Sequence, residues 1–159
     1  MKSKLLNDIH GSREWVLIFD PGDEAMAELK SFATVNRLQA AHFTGIGAFA
    51  DLTVAWFDLE TKSYQSIAID EQVEVLSLIG DVAESKGKPA VHAHICVAKR
   101  DGSAHGGHLQ SGHVRPTLEL IVSEAPARLR KSFRPEFGLS LIDISHSETV
   151  QSRPSSESI

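Results

Sequence analysis

Ala90-Val-His-Ala-His-Ile-Cys-Val-Ala98 is an apolar run that carries histidines at positions 92 and 94. Its reading decides the fold. Apolar and β-branched residues at this density form a strand, and side chains two apart on a strand point to one face. An Asp101-Gly102 turn, a Gly106-Gly107 pair and His108 follow. In an antiparallel hairpin, paired residues have a constant sum of numbers. His108 shares a face with His92 and His94 only if that sum is even. A two-residue Asp101-Gly102 loop makes it odd. A three-residue loop, or a bulge at the glycine pair, restores parity. The expectation is therefore an odd-count loop or a bulge. With Asp101-Gly102-Ser103 as the loop, Cys96 faces His108 and His94 is its diagonal neighbour.

Three neutral imidazoles with an open position fit Zn2+ or a similar divalent transition metal. A lone histidine on a half-buried strand is usually no more than hydrogen-bonded, whereas a cluster in an apolar strand asks for a reason. His92, His94 and His108 are thus the candidate metal ligands. His113 lies an odd number of residues from His108, hence on the opposite face, and His105 falls in the turn, where solvation accounts for it. Cys96 shares parity with His94. It reads as a fourth ligand, a reactive thiol or, between Ile95 and Val97, an inert buried cysteine.

The chain has 159 residues, enough for one domain with a proper core. Hydrophobic residues make up 42% and charged residues 23%, a globular profile. No apolar stretch approaches a membrane span, and the start breaks into polar residues before any signal-like core forms. One cysteine allows no internal disulfide, so the cytoplasm is the expected address. The net charge of −5 argues against DNA binding by this chain alone. Arg128, Arg130, Lys131 and Arg134 form the one basic group, which reads as a solvated loop or helix face between Pro126 and Pro135.

Working outward from the histidine hairpin, residues 13–19 read as a strand that is apolar on both faces and buried. Asp20-Pro21-Gly22-Asp23 is helix-start chemistry, and residues 24–37 carry Met26, Leu29 and Ala33 at helical spacing. Strands are expected over 39–45, 51–59, 64–70, 71–81, 90–98, 108–114, 117–123 and 139–144. Gly45-Ile46-Gly47 marks a tight turn or a close backbone approach; it lacks the third glycine and following helix of a nucleotide loop. The Ser-rich tail, 146–159, reads as disordered. One helix and many antiparallel strands make an α+β domain.

The ordered motifs Glu74-Val-Leu-Ser-Leu-Ile-Gly80, Pro89-Ala-Val-His-Ala-His94, Asp101-Gly102, Gly106-Gly-His-Leu109 and Thr117-Leu-Glu119, preceded by Pro21-Gly-Asp and Gly45-Ile-Gly47, resemble the PPC (plants and prokaryotes conserved) domain over residues 10–145. The resemblance implies a highly curved antiparallel sheet with one main helix, assembled as a homotrimer. It also implies a metal at the positions of His92, His94 and His108. Plant members carry AT-hooks of the Arg-Gly-Arg-Pro type beside this domain; none occurs here, which argues against direct DNA binding. A trimer suits the sequence physically as well, since the strands over 71–81, 90–98 and 117–123 offer more apolar surface than one helix covers.

Two functions follow from these features. The first is a homotrimeric binding or regulatory module with a three-histidine metal site, associated with DNA only through partners. The alternative is a zinc-dependent enzyme of hydrolase or lyase type using metal-bound water, with Glu119 or Glu74 as general base and a small-molecule ligand near the histidines. Both glutamates also read as surface-facing strand positions.

Overall fold

The computed structural model describes residues 1–149. In chain order the elements are β1 (Lys2–Ile9), β2 (Ser12–Phe19), α1 (Ala25–Val35), β3 (Ala40–Asp58), β4 (Ser63–Ile69), β5 (Val73–Ser85), β6 (Lys88–Ala98), β7 (Ala104–Glu124), β8 (Ala127–Arg128), β9 (Lys131–Arg134), β10 (Leu139–Ile142), a 3-10 turn (Ile144–His146) and β11 (Glu148–Thr149). The protein is mostly antiparallel sheet with a single α-helix among the described residues.

The helix starts where the acidic cluster predicts. Glu24 is the N-cap, and its carboxylate accepts from the backbone N–H groups of Met26 (3.2 Å) and Ala27 (2.6 Å). These are donors that the first turn leaves unpaired, and the negative charge suits the helix N-terminus. The same carboxylate accepts from Gly112 N at 3.0 Å, which fastens the helix start to β7. Met26, Leu29, Phe32 and Ala33 face inward, and α1 packs on β6 and β7.

The main sheet runs β1-β2-β7-β6-β5-β3-β4, with an additional β7–β3 pairing. That extra ladder closes a circuit, β3–β5–β6–β7–β3, and only a strongly curved sheet can close on so few strands. The two longest strands make the closure. β3 has 19 residues and β7 has 21, and each serves different partners along its length. Phe43, Phe49, Leu78, Ala93, Ile95, Leu109, Leu118 and Leu120 fill the inside.

Several expected boundaries are corrected by this architecture. Residues 39–45 and 51–59 are one strand, β3, and 108–114 and 117–123 are one strand, β7. The punctuating residues bend the strands instead of ending them. The register of β3 on β5 shifts between Gly45 and Gly47. A side chain at Gly45 would collide with the Glu119 carbonyl and Leu120, so the close backbone approach is real and the turn is not. In β2, Trp15, Leu17 and Phe19 join the core while Val16 and Ile18 stay half-buried on the outer face. β1 gave no signal because all eight of its residues are exposed, leaving no apolar alternation to read.

Of the basic group near the C-terminal end, Arg128, Lys131 and Arg134 lie on short strands and Arg130 sits between β8 and β9, bridged to Glu84. Arg130 pairs with Glu84 and Glu148, Lys131 with Asp81, and Arg134 with Asp143. Of the Ser-rich tail, Glu148–Thr149 pairs with β8, and positions 150–159 lie outside the described residues. No helix is long and apolar enough to cross a membrane among the described residues.

Gly80 tests the tightness of the closed sheet, because a Cβ there would strike the Phe43 ring and the His92 carbonyl. Gly80→Ala is expected to cost about 1–3 kcal/mol by overpacking, read from chemical denaturation. An unchanged midpoint would show that β5 can move off β3 freely.

Candidate metal centre

The β6–β7 hairpin has the even register sum that the histidines require. Its pairs are His94↔His108, Ile95↔Gly107, Cys96↔Gly106, Val97↔His105 and Ala98↔Ala104. The tip is a three-residue loop set one residue earlier than the Asp101-Gly102-Ser103 expected from sequence. Lys99 N donates to Ser103 O at 2.9 Å and Gly102 N to Lys99 O at 2.9 Å, so the odd loop is Arg100-Asp101-Gly102. Parity held and the register moved by one pair. His94, rather than Cys96, therefore lies directly opposite His108.

Ala93, Ile95 and Val97 point into the core, which turns His92, His94 and Cys96 to the outer face. His108 joins them across the ladder. One ligand atom from each of His92, His94 and His108 lies within 4.8 Å of the others. The rings meet edge-on or tilted, with centroids 5.0 Å (His92–His94), 5.1 Å (His92–His108) and 5.6 Å (His94–His108) apart. β6 and β7 stay paired only up to His94 and His108. Beyond that point β7 continues on β3, and His108 is opposite Ala55. The triad thus sits at the fork where two strands part.

Three neighbours that sequence reasoning passed over shape the site. Asp81 is opposite His92 on β5, with Oδ2 3.3 Å from His92 Nδ1. Lys131 reaches the same carboxylate from β9, its Nζ 3.0 Å from Oδ1. Tyr64 of β4 stacks on His108 with centroids 4.8 Å apart. Asp81 sits within the expected strand 71–81 at the same parity as Ile79, which faces His94. Its role was legible only once the β5–β6 register was known.

The glutamates offered as general bases do not meet the triad within one chain. Glu119 pairs with Ile18 and Ile46 on the far side of β3. Glu74 is opposite Ala98, four residues along β6 from His94 and so roughly 13 Å away at strand rise. Regular alternation would set Glu74 and Asp81, seven residues apart, on opposite faces, and it is the irregularity between Val75 and Ser77 that turns both outward. Cys96 is a half-buried free thiol on the His94 face and lies outside the three-histidine cluster. His105 is on β7 opposite Val97, an exposed strand position and not part of the turn. His113 is exposed and pairs with Asp51 at 2.8 Å.

Electrostatically the triad is prepared for a cation. Burial, then the nearby His92 and His94, push the His108 pKa down from 6.5 to about 4. Burial and His92 also lower that of His94. Burial opposes ionisation of Asp81, but the hydrogen bond with His92 and the ion pair with Lys131 outweigh it and hold the carboxyl below its ordinary value. At neutral pH His94 and His108 are neutral beside a carboxylate, and at these two a metal meets little competition from protons.

His108 Nδ1 is buried with no hydrogen-bond partner among the described residues, a costly arrangement for an imidazole nitrogen unless something else binds there. Zinc–nitrogen bonds of about 2.0–2.1 Å in a tetrahedral set put nitrogens about 3.4 Å apart. Ligand atoms already within 4.8 Å need only small ring rotations to reach that spacing. The donor set fits a transition metal. Beside it opens a groove of about 390 Å3 lined by His42, Phe43, Thr44, Ile79, Asp81 and His94 among others.

A curved, closed antiparallel sheet with a histidine triad on its outer face is the setting in which the comparisons fall. The profile of the Plants and Prokaryotes Conserved (PCC) domain matches residues 9–126. The chain belongs to this family. A metal-containing protein from Archaeoglobus fulgidus is 31% identical, superposes with a TM-score of 0.76, and the match covers 81% of this chain and 91% of that one. A proposed DNA-binding protein from Bacteroides thetaiotaomicron is 25% identical with a TM-score of 0.83, over 90% of this chain and 98% of that one. A bifunctional protein GlmU from a Synechococcus strain is 28% identical over 137 residues, 86% of this chain. The chain spans about a fifth of the length of the curated relatives it matches (21% and 20%).

The depressed His108 pKa has a pH signature in the metal-free protein. The unfolded chain takes up its proton near 6.5, whereas folded His108 refuses it until about 4. The unfolded state therefore binds more protons in that window. The contribution is whole above about 6.5 and is lost as the pH falls toward about 4. In melting curves between these limits, His108→Phe should show a shallower loss of stability than the parent. Parallel slopes would refute the assignment.

Proposed function

We propose that this protein is a homotrimeric metal-binding module in which His92, His94 and His108 hold a divalent transition metal, zinc or a similar ion. The observation that carries the reading is the convergence of three imidazoles, one of which, His108, has a buried Nδ1 without a hydrogen-bond partner among the described residues. Bound there, such an ion would act as a Lewis acid and crosslink β6 to β7 at their fork. The chain's own residues supply the rest. Asp81 offsets part of the ion's charge, Tyr64 shields one face of His108, and His94 stays exposed toward the groove.

Trimer formation is supported by the apolar belt beside the site. Ile46, Ile79 and Ile121 are 64%, 55% and 39% exposed on the outer face. An apolar strip of this kind is a natural subunit contact. The role is regulatory or scaffolding, in the reducing interior that suits a single free cysteine. Association with DNA, as proposed for the Bacteroides relative, would come through partners, since this chain carries a net charge of −5 and no AT-hook.

A second reading, a zinc-dependent hydrolase or lyase, draws on the open groove next to exposed His94. In that reading a small molecule occupies the groove against Phe43 and Ile79. Asp81 is the nearby carboxylate, although its ion pair with Lys131 engages one oxygen.

Protein purified without an affinity tag or added metal should carry close to one zinc or similar ion per chain, lost in His94→Ala and His108→Ala. Absence of metal from the parent protein overturns the proposal. Light scattering should give a trimer that Ile46→Glu shifts toward monomer. A monomeric parent would remove the assembly from the proposal.

A further inference from the structure

The family profile ends at residue 126, yet a side chain from beyond that point enters the histidine site. Lys131 of β9 keeps only 9% of its side chain exposed and sets its Nζ 3.0 Å from Asp81 Oδ1. A buried ammonium is costly without a partner, so Asp81 is what draws it in. The segment carrying it is fastened along the sheet. Glu84 N donates to Leu129 O at 2.7 Å, Leu129 N donates to Gln39 O at 3.1 Å, and Arg130 pairs with Glu148 at 3.4 Å. Lys131 is therefore delivered by a braced backbone.

Asp81 is divided between two neighbours. Oδ1 faces Lys131 and Oδ2 faces His92 Nδ1 at 3.3 Å. A neutral imidazole carries one N–H, and an acceptor at Nδ1 selects the tautomer whose Nε2 lone pair is free. We propose that Lys131, held by the C-terminal segment, clamps Asp81, and that Asp81 is the positioning residue that keeps His92 protonated at Nδ1 with Nε2 available to the metal. This rests on the metal reading above and adds a coupling between the C-terminal segment and the triad. A carboxylate acting through its charge alone makes the opposite prediction for Lys131, because removing a nearby cation would tighten binding of a dication.

The test uses the full chain with Asp81→Asn, Asp81→Glu and Lys131→Met, and measures zinc affinity by competition with a chromophoric chelator. Nitrogen–proton NMR correlations report the His92 tautomer with and without zinc. The Asn amide can turn its N–H toward His92 and select the wrong tautomer, so Asp81→Asn should weaken zinc about 10–100-fold and lose the Nδ1–H correlation. Asp81→Glu should recover part of that loss, and Lys131→Met should weaken zinc by a smaller factor. Unchanged affinity in Asp81→Asn, or tighter binding in Lys131→Met, overturns the proposal. A parent protein that binds no zinc would defeat the metal reading instead. The tautomer in the metal-free protein still decides the positioning claim, since an Nε2–H His92 beside intact Asp81 refutes it. Should Lys131→Met not fold, Lys131→Arg replaces it. It keeps the cation but spreads the charge over a planar fork, and an unaltered His92 signal and affinity are then expected only if the clamp is retained.

Discussion

Closure of the sheet governs everything else in this molecule. β7 pairs with β6 over its first residues and with β2 and β3 over the remainder, while β3 joins β5, β7 and β4. A strand can serve that many neighbours only by bending away from one as it takes up the next. The bends fall at register shifts near Gly45–Gly47 and Thr53–Val54 of β3. They leave a fork between β6 and β7 beyond His94 and His108. α1 packs against both of those strands, with Glu24 tying its first turn to Gly112. The triad is a consequence of this fork: His94 and His108 form the last rung, and His92 lies one step past it.

Rows of side chains crossing the curved outer face explain the site's mixed character. One row runs Val16, Ile121, Thr44, Ile79, His94, His108, each residue opposite the next across a ladder. The adjacent row runs Glu14, Ser123, His42, Asp81, His92. The first is apolar apart from Thr44 until it reaches the histidines, and the second is polar throughout. Histidines, an apolar strip and a carboxylate thus meet because adjacent rows on one face of a pleated sheet are two residues apart along each strand. A third row puts Glu119 with Ile18 and Ile46, out of reach of the triad in one chain.

The sequence was most informative where a local rule had a single outcome. Even-sum parity for His92, His94 and His108 followed from side-chain alternation, and the helix start followed from acids before an apolar period. The long-range features were less legible. Gly45-Ile46-Gly47 carries turn chemistry, and only the pairing of β3 with β7 shows that it bends a continuous strand. Asp81 could not be preferred to Glu74 on one strand, because the choice depends on where β6 pairs with β5. Lys131 was hidden further still, since a basic group beside two prolines reads as solvated surface until Asp81 is placed opposite His92.

That last misreading bears on what the protein can recognise. A basic cluster free in solution would attract phosphates, but here three of its four cations are engaged by acids: Arg130 by Glu84 and Glu148, Lys131 by Asp81, and Arg134 by Asp143. Hydrogen bonds and Arg134 keep the Asp143 carboxyl far below its ordinary value, so it stays charged and holds its partner. The segment spends its positive charge internally, bracing a strand hairpin against β5. With those cations occupied, this segment offers an anionic partner little counter-charge. The cations are committed to holding the C-terminal segment beside the histidines, and chemistry at that outer face is a better guide to function than charge.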